Sequence, residues 1–251
     1  MRQPFTKLGI PKLWGDDPER MWPFARYIVI PTTLSMAPTA GYGLERVPLE
    51  GGGVVAANHF SGIDHPLIGG FCPRPVYFLA KAELFEILFV SDFLRWIGAF
   101  PVRRGSGDRD ALRRARGYVR DGKLVGVHVE GTRQRFGYPG PVHTGGLMIA
   151  LQERAPLIPC AVDTFRWSPR NRRRCAVVWG EPIDVSDLPR NREGYGQAAE
   201  LVRAEIVRLW RQAAEAAAAG LPSELPDGTK RYGAVFRQWS RDGAAPPRVQ
   251  H

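Results

Sequence analysis

Short apolar runs alternate with amphipathic segments along the central part of the chain. Runs of five to seven mostly apolar residues, bounded by glycine, proline or polar residues, are typical of buried β-strands. They are VVAAN (54–58), VYFLA (76–80), AFPVR (99–103), LVGVHVE (124–130) and PLIPCAV (156–162). Segments with helical character lie between them, at 83–98, 108–122 and 145–154. This alternation predicts an α/β fold, a single domain with a mostly parallel sheet flanked by helices.

The two ends of the chain have a different pattern. The stretch MWPFARYIVIPTTLSMAP (21–38) is apolar, but an arginine and three prolines interrupt it, so it does not make a transmembrane span of about 20 residues. Its aromatic residues beside arginines suit a membrane interface, although an ordinary helix packed on the domain fits equally well. A further strand is predicted within 175–184 and a long surface helix over 191–219.

We expect three parts in the chain. An N-terminal amphipathic or interfacial segment covers 1–40, and the main domain covers 41–219. From Gly220 onward, proline, glycine and polar residues dominate, so 220–251 is expected to be a flexible, loosely attached tail.

The balance of charge points to an anionic partner. Thirty-five Lys and Arg residues against 25 Asp and Glu give a net charge of +10, which favours nucleic acid, a phosphate-bearing substrate or a lipid surface. The arginine-rich stretches lack aromatic residues at stacking spacing, so solvated or membrane-facing roles are favoured over nucleic-acid binding. The three cysteines have no paired or metal-type spacing, and a reducing compartment is therefore expected.

The segment AANHFSGIDHP (56–66) places a histidine and an aspartate five residues apart. On a regular helix, His59 and Asp64 would lie about 140° apart and would not meet. Ser61 and Gly62 between them are a turn signal, and a tight turn would fold Asp64 back toward His59. Because VVAAN precedes the pair, His59 is expected at the end of a strand, where chemistry collects in α/β sheets.

Two other predicted strands end in basic residues. EGTRQRFG (130–137) follows the fourth strand, and Arg133 in it has the forked geometry that grips phosphate. Arg104 lies at the matching end of the third strand, and ends of parallel strands share one edge of a sheet. We therefore expect one crevice, lined by His59, Asp64, Arg104, Glu130 and Arg133.

Four separated blocks resemble those of the glycerolipid acyltransferases that acylate lysophosphatidic acid, a family marked by an NHxxxxD block. The blocks are NHFSGID, GAFPVRR, EGTRQ and APLIPCAV, in that order, and the resemblance covers roughly residues 40–185. Relatives often carry an aromatic residue and a proline before the glutamate of the third block. Here His128 and Val129 stand there, and His143 and Thr144 replace basic residues farther on.

The resemblance implies a reaction and a set of roles. His59 would be the general base, Asp64 would hold its imidazole in the right tautomer, and the lipid alcohol itself would be the nucleophile. Residues expected to bind substrate are Asn58, Arg104, Glu130, Gly131, Thr132 and Arg133. The expected reaction moves a fatty acyl group to the free hydroxyl of a lysophospholipid, with 1-acyl-glycerol-3-phosphate as the first candidate acceptor.

The expected partners follow from the same resemblance. The donor would be acyl-coenzyme A or acyl carrier protein, with no cofactor or metal and no nucleic acid. The protein would sit at the cytoplasmic face of an anionic membrane as a peripheral or monotopic protein. Other readings stay open: a different lysolipid or polar acceptor, a hydrolase that uses water, or a catalytically idle membrane-binding protein.

Overall fold

An eight-stranded mixed sheet forms the centre of the computed structural model, which describes residues 25–87, 90–103 and 108–233. The strands are β1 (Thr39–Tyr42), β2 (Gly53–Ala57), β3 (Val76–Lys81), β4 (Phe100–Val102), β5 (Leu124–His128), β6 (Leu157–Asp163), β7 (Cys175–Trp179) and β8 (Arg231–Tyr232). Their order in the sheet is β4-β3-β5-β2-β6-β7-β1-β8. All neighbours run parallel except β6 with β7 and β1 with β8. The predicted α/β fold with a mostly parallel sheet is confirmed.

Within the described residues, six α-helices cover the sheet. They are α1 (Ile30–Met36), α2 (Asp64–Gly70), α3 (Val90–Trp96), α4 (Arg109–Arg120), α5 (Thr144–Glu153) and α6 (Arg192–Ala218). A π-helical turn at Ala25–Val29 leads into α1, and 3-10 turns occur at Leu44–Arg46 and Ala82–Glu86. The predicted helices at 108–122, 145–154 and 191–219 correspond to α4, α5 and α6.

Alternation along the central strand builds a separate core on each face of the sheet. Val55 and Ala57 of β2 pack in one core with Leu67 of α2, whereas Val54 and Ala56 pack in the other with residues of α4, α5 and α6. Both faces of β2 are fully buried, as its continuous apolar sequence predicts. The central strands are therefore rigid supports for whatever follows their ends.

The segment 83–98 does not form the single helix that its apolar spacing predicts. A 3-10 turn spans Ala82–Glu86, and Ile87 then adopts an extended backbone with φ −87° and ψ 122°. The α-helix begins only at Val90. An extended residue breaks the helical hydrogen-bond series, so the apolar side chains Leu84 and Ile87 are left 38% and 51% exposed.

The two end segments are more firmly attached than the composition indicates. Strand β1 pairs with β7, so residues 39–42 belong to the sheet. Strand β8 pairs antiparallel with β1, and Leu225, Thr229 and Tyr232 are buried. The prediction of a loose tail from Gly220 is therefore wrong for residues 220–233, because their few apolar side chains fill the edge of the core. Residues 234–251 and 1–24 lie outside the described part of the chain.

Candidate active site

The carboxyl ends of β2, β5 and β6 lie side by side at one edge of the sheet. In this register Ala57, the last residue of β2, pairs with His128 of β5 and with Cys160 of β6. The segments that leave these strands carry His59, Glu130 and Thr164, so three separated parts of the sequence meet at one place. This is the edge where open α/β sheets bind their ligands.

The turn after β2 brings the predicted histidine and aspartate together. His59 Nδ1 lies 2.7 Å from Asp64 Oδ2, and both side chains are almost fully buried. Asp64 is the first residue of α2, so the turn at Ser61 and Gly62 ends where the helix begins. The predicted proximity of His59 and Asp64 is confirmed.

Asp64 accepts hydrogen bonds from several donors besides the imidazole. The backbone N–H groups of Phe60 and Ser61 donate to Oδ2 at 2.8 and 3.0 Å, and the Thr164 hydroxyl donates to Oδ1. Burial alone would raise the pKa of this carboxyl, but the hydrogen bond and the attraction of His59, with the bond from Thr164, hold the pKa below its usual value. Asp64 is therefore a carboxylate whose charge is fixed at the inner nitrogen of His59.

Asn58 joins the end of β2 to β6. It is fully buried, its Nδ2 donates to the Val162 carbonyl at 2.9 Å, and its Oδ1 accepts from the Val162 N–H at 2.8 Å. Both ends of the amide are thus used to join the end of β2 to β6. The structure gives Asn58 this bridging role, and its expected contact with substrate stays a prediction.

Glu130 braces the loop that carries the histidine. Its Oε2 accepts from the backbone N–H of His59 at 2.6 Å, and its Oε1 accepts from the N–H of Gly140 at 2.7 Å. Burial raises the pKa of Glu130 to about 7, against the opposing effect of those two N–H donors. The residue is 2% exposed, so its carboxyl braces the loop from behind, and its expected contact with substrate stays a prediction.

The loop after Glu130 supplies the exposed basic group. The Arg133 guanidinium lies beside Gly62: a methyl group added to Gly62 would be 3.5 Å from Arg133 Nη2. Gly131 has φ +65° and lies under His143, and Thr132 is exposed. In the same loop, the backbone N–H of Gln134 donates to the His59 carbonyl at 2.8 Å.

The crevice that the sequence predicted is thus assembled in most of its parts. His59, Asp64, Glu130 and Arg133 converge on one turn. Arg104 lies outside the described residues, so its place in the crevice stays a prediction.

Comparisons with known proteins agree with the block pattern of the sequence. A family model described as Acyltransferase matches residues 40–163. The 1-acyl-sn-glycerol-3-phosphate acyltransferase of Bacillus subtilis (strain 168) is 32% identical over 150 residues, which cover 59% of this chain and 74% of that protein. The chain belongs to the 1-acyl-glycerol-3-phosphate acyltransferase family. It is therefore an acyltransferase, and the predicted family is confirmed.

Two other relatives of this acyltransferase are also 1-acyl-sn-glycerol-3-phosphate acyltransferases. Those of Borreliella burgdorferi and Streptococcus pneumoniae are 30% and 27% identical over 47% and 55% of the chain, and the matches span about half of each relative, 48% and 52%. The crystal structure of the LPA acyltransferase PlsC from Thermotoga maritima matches with a TM-score of 0.61 and 23% identity, over 76% of this chain and 80% of that one. That likeness shows a shared fold.

An apolar pocket, open to solvent, lies beside the site of the acyltransferase, between α1, α2 and β3. Its walls include Ile30, Pro66, Phe78 and Ile97, with His65 on the side nearer the catalytic turn. The His65 and His59 rings meet edge to face with centroids 5.6 Å apart. An apolar space therefore begins one ring away from His59.

Sequence reasoning missed Thr164 and gave too small a part to two histidines. Thr164 follows β6 directly, and a hydroxyl at the end of a strand was the signal that could have found it. His65 is the second residue of α2 and His128 is the last residue of β5. In the folded chain both lie at the imidazole of His59.

The described part of the chain contains neither a cluster of metal-ligating side chains nor a membrane-spanning helix. Residues 25–87, 90–103 and 108–233 contain no group of three or more His, Cys, Asp and Glu arranged to hold a metal ion. Within those same ranges, each helix is too short or too polar to cross a bilayer.

Proposed function

We propose that this acyltransferase moves a fatty acyl group from the thioester of acyl-coenzyme A or acyl carrier protein to the free hydroxyl of a lysophospholipid. The proposed acceptor is 1-acyl-glycerol-3-phosphate, and the product is phosphatidic acid. The observation that carries the proposal is the buried His59–Asp64 pair, placed at a strand end between an exposed arginine and an apolar pocket.

The pair supplies the proton chemistry. Because Asp64 is an acceptor at Nδ1, that nitrogen carries the hydrogen and Nε2 of His59 carries the lone pair. Nε2 takes the proton of the acceptor hydroxyl as its oxygen attacks the thioester carbonyl carbon. The carbon–sulfur bond then breaks, and the departing thiolate receives the proton from the imidazolium. Asp64 stabilises that imidazolium and keeps the ring in its tautomer.

Arg133 supports a phosphate-bearing acceptor. Its exposed guanidinium beside Gly62 lies next to the turn that holds the base, and a guanidinium binds phosphate through two parallel N–H bonds. A phosphate held there would leave the rest of a glycerol lipid beside His59. The predicted contribution of Arg104 would add a second cation to the same group.

The apolar pocket supports an acyl chain as the other ligand. Its aliphatic and aromatic walls remove hydrocarbon from water, at roughly 0.8 kcal/mol per buried methylene. A thioester carbonyl at its inner end would lie beside His65 and His59, which is where the attacking hydroxyl would be activated.

We infer further that the protein works as a peripheral or monotopic protein at the cytoplasmic face of an anionic membrane. The net charge of +10 supports this attachment, since a basic residue near an anionic leaflet contributes about 1 kcal/mol. Phe136 and Tyr138 are 79% and 57% exposed on the loop that follows Arg133, and their rings lie 6.4 Å apart. Exposed aromatic residues beside arginines suit the headgroup boundary.

The test is a thioester assay on purified protein. Palmitoyl-coenzyme A is supplied with no acceptor, with lysophosphatidic acid, or with a lysophospholipid that carries no terminal phosphate, and the released thiol is followed in parallel with the lipid product. An acyl carrier protein donor replaces the coenzyme A donor in a second series. His59→Ala is assayed under each condition, and its fold is checked by circular dichroism.

The proposal expects thiol release that requires lysophosphatidic acid, yields phosphatidic acid and disappears in His59→Ala. Release without an acceptor would identify a hydrolase. Vesicle binding with neither thiol release nor lipid product, under both donors and every acceptor, would identify an idle membrane-binding protein. Undiminished transfer in a folded His59→Ala variant would remove the histidine from the mechanism.

A further inference from the structure

The rings of His59 and His128 are stacked face to face. Their centroids lie 3.9 Å apart and their planes differ by 14°. His128 is the last residue of β5, and His59 leaves the neighbouring strand β2 two residues after Ala57, the residue paired with His128. The stack is thus a contact between two strand ends whose register the sheet fixes.

His128 is itself held from two sides. Its Nδ1 lies 2.8 Å from the carbonyl oxygen of Asn58, so Nδ1 carries the hydrogen and donates it there. The edge of His65 meets its ring at a centroid distance of 4.5 Å, and Phe78 lies farther out at 6.0 Å. Because Asn58 is joined to β6 by two hydrogen bonds, the acceptor of the His128 bond is also fixed.

The hydrogen bond to Asp64 leaves one motion of the catalytic ring undefined. A single Nδ1–H···Oδ2 bond fixes a point on the imidazole, and the ring can still tilt about that line. A flat surface against one face removes the tilt, and a displacement of about 1 Å at a reacting atom can cost about 100-fold in rate. A rigid partner ring at 3.9 Å therefore sets the direction in which Nε2 points.

We propose that His128 is a positioning residue for the acyl transfer: its ring is the flat platform that holds the plane of His59 and aims Nε2 at the acceptor hydroxyl. This inference rests on the proposed function, in which His59 is the base. In this inference the ring face of His128 positions His59. The hydrogen bond from His128 to the Asn58 carbonyl only holds the His128 ring in place.

Matched substitutions separate the ring from its hydrogen bond. His128→Phe keeps a flat aromatic face and loses the donor to Asn58. His128→Asn keeps a side-chain N–H donor and loses the face, and His128→Ala loses both. Steady-state kcat and KM are measured for each variant with the donor and acceptor that the wild type accepts, and thermal unfolding checks that each variant is folded.

The platform predicts that His128→Phe stays within about threefold of wild-type kcat, whereas His128→Asn and His128→Ala lose about tenfold in kcat with KM little changed. Equal kcat in all three variants would overturn the proposal. Activity kept in His128→Asn and lost in His128→Phe would also overturn it, because the hydrogen bond would then be the essential contact.

A second readout does not depend on turnover. In the protein with labelled histidines, the ring-proton resonances of His59, assigned by their loss in His59→Ala, lie within the shielding region of the partner ring. They should keep their upfield position in His128→Phe and move downfield in His128→Asn. If the wild type transfers no acyl group, the proposed function fails while this readout still judges the stack. Resonances that stay in place in His128→Asn would overturn the platform.

Discussion

At the scale of single residues, the site depends on two buried carboxyl groups with opposite pKa shifts. Asp64 is surrounded by donors and keeps its charge, while Glu130 is buried with only two backbone donors and its pKa rises to about 7. The first group contacts the imidazole and would serve the proposed proton transfer. The second group holds the backbone of the same loop, so the two carboxyls are not interchangeable.

Replacement of Asp64 by asparagine tests the orienting role. An amide oxygen in the place of Oδ2 could still accept from His59 Nδ1–H and the two backbone donors, but it carries no charge to stabilise the imidazolium. The reversed amide would place its NH₂ group against Nδ1 and force the other tautomer. We expect kcat to fall by about 10³-fold or more, by analogy with triad enzymes in which the acid is replaced by its amide. The exposed Asp187→Asn variant is the matched control and should keep wild-type kcat. A loss of less than about threefold in Asp64→Asn would contradict the assignment.

Replacement of Glu130 by glutamine tests the raised pKa. Between the unfolded pKa of about 4.5 and the folded pKa of about 7, the folded chain binds a proton that the unfolded chain has released. Stability from this group is therefore present at low pH and is lost as the pH rises through that window, by at most on the order of 3 kcal/mol.

The free energy of unfolding, measured by urea titration from pH 4.5 to 7.5, should show this decline in the wild type and lose it in Glu130→Gln. The exposed Glu200→Gln variant is the control and should follow the wild-type curve. Identical pH slopes in all three proteins would contradict the raised pKa of Glu130.

At the scale of secondary structure, the start of β2 is pressed against the end of α4. A methyl group on Gly52 would be 1.9 Å from the carbonyl oxygen of Val119, so the backbones approach as closely as glycine permits. This contact fixes the start of the strand that delivers His59. A displacement at one end of the rigid strand would reach the catalytic turn at the other.

Two glycine-to-alanine variants should therefore have opposite effects. Gly52→Ala forces the two backbones apart and should lower the free energy of unfolding by about 2 kcal/mol or more. Gly117 lies in the interior of α4 with open space around it, so Gly117→Ala should raise the free energy of unfolding by about 0.5–1 kcal/mol. Chemical denaturation measures both, and a Gly52→Ala variant as stable as the wild type would contradict the close packing.

At the scale of the whole molecule, the loops that leave the strand ends pack on one another around the site. Phe165, in the loop after β6, lies against Gly137, in the loop that carries Phe136 and Tyr138. Arg172, in the same loop as Phe165, donates to the Ser35 carbonyl of α1 at 2.7 Å. The loop that carries the exposed rings of Phe136 and Tyr138 therefore contacts the active site. It also contacts the loop after β6, which in turn is hydrogen-bonded to α1. This arrangement supports the membrane-facing surface that we propose.

A double variant tests that surface. Phe136→Ser with Tyr138→Ser removes two exposed aromatic groups, so co-sedimentation with vesicles rich in phosphatidylglycerol should weaken about tenfold. Leu201→Ser removes an apolar side chain that is 48% exposed on α6 and serves as the control, with unchanged binding expected. Equal sedimentation of the double variant and the wild type would place the membrane contact elsewhere.

The features that depend on local pattern could be predicted from the sequence. Apolar runs of strand length and their alternation with helices defined the mostly parallel sheet, because burial on both faces requires such runs. The turn residues Ser61 and Gly62 were enough to join His59 to Asp64, since the two lie only five positions apart. The four blocks, read in order, were enough to indicate the family.

The contacts between distant parts of the chain depend on the tertiary fold and could not be predicted from the sequence. Asn58 is hydrogen-bonded to Val162, and Thr164 is hydrogen-bonded to Asp64, across 104 and 100 positions of the chain. The ring of His128 stacks on that of His59, about 70 positions away. No local pattern encodes such pairings, because they depend on the register of β2 against β5 and β6. For the same reason the short strands β1 and β8 went unpredicted: too few residues show alternation, and their stability comes from the neighbours that the fold provides.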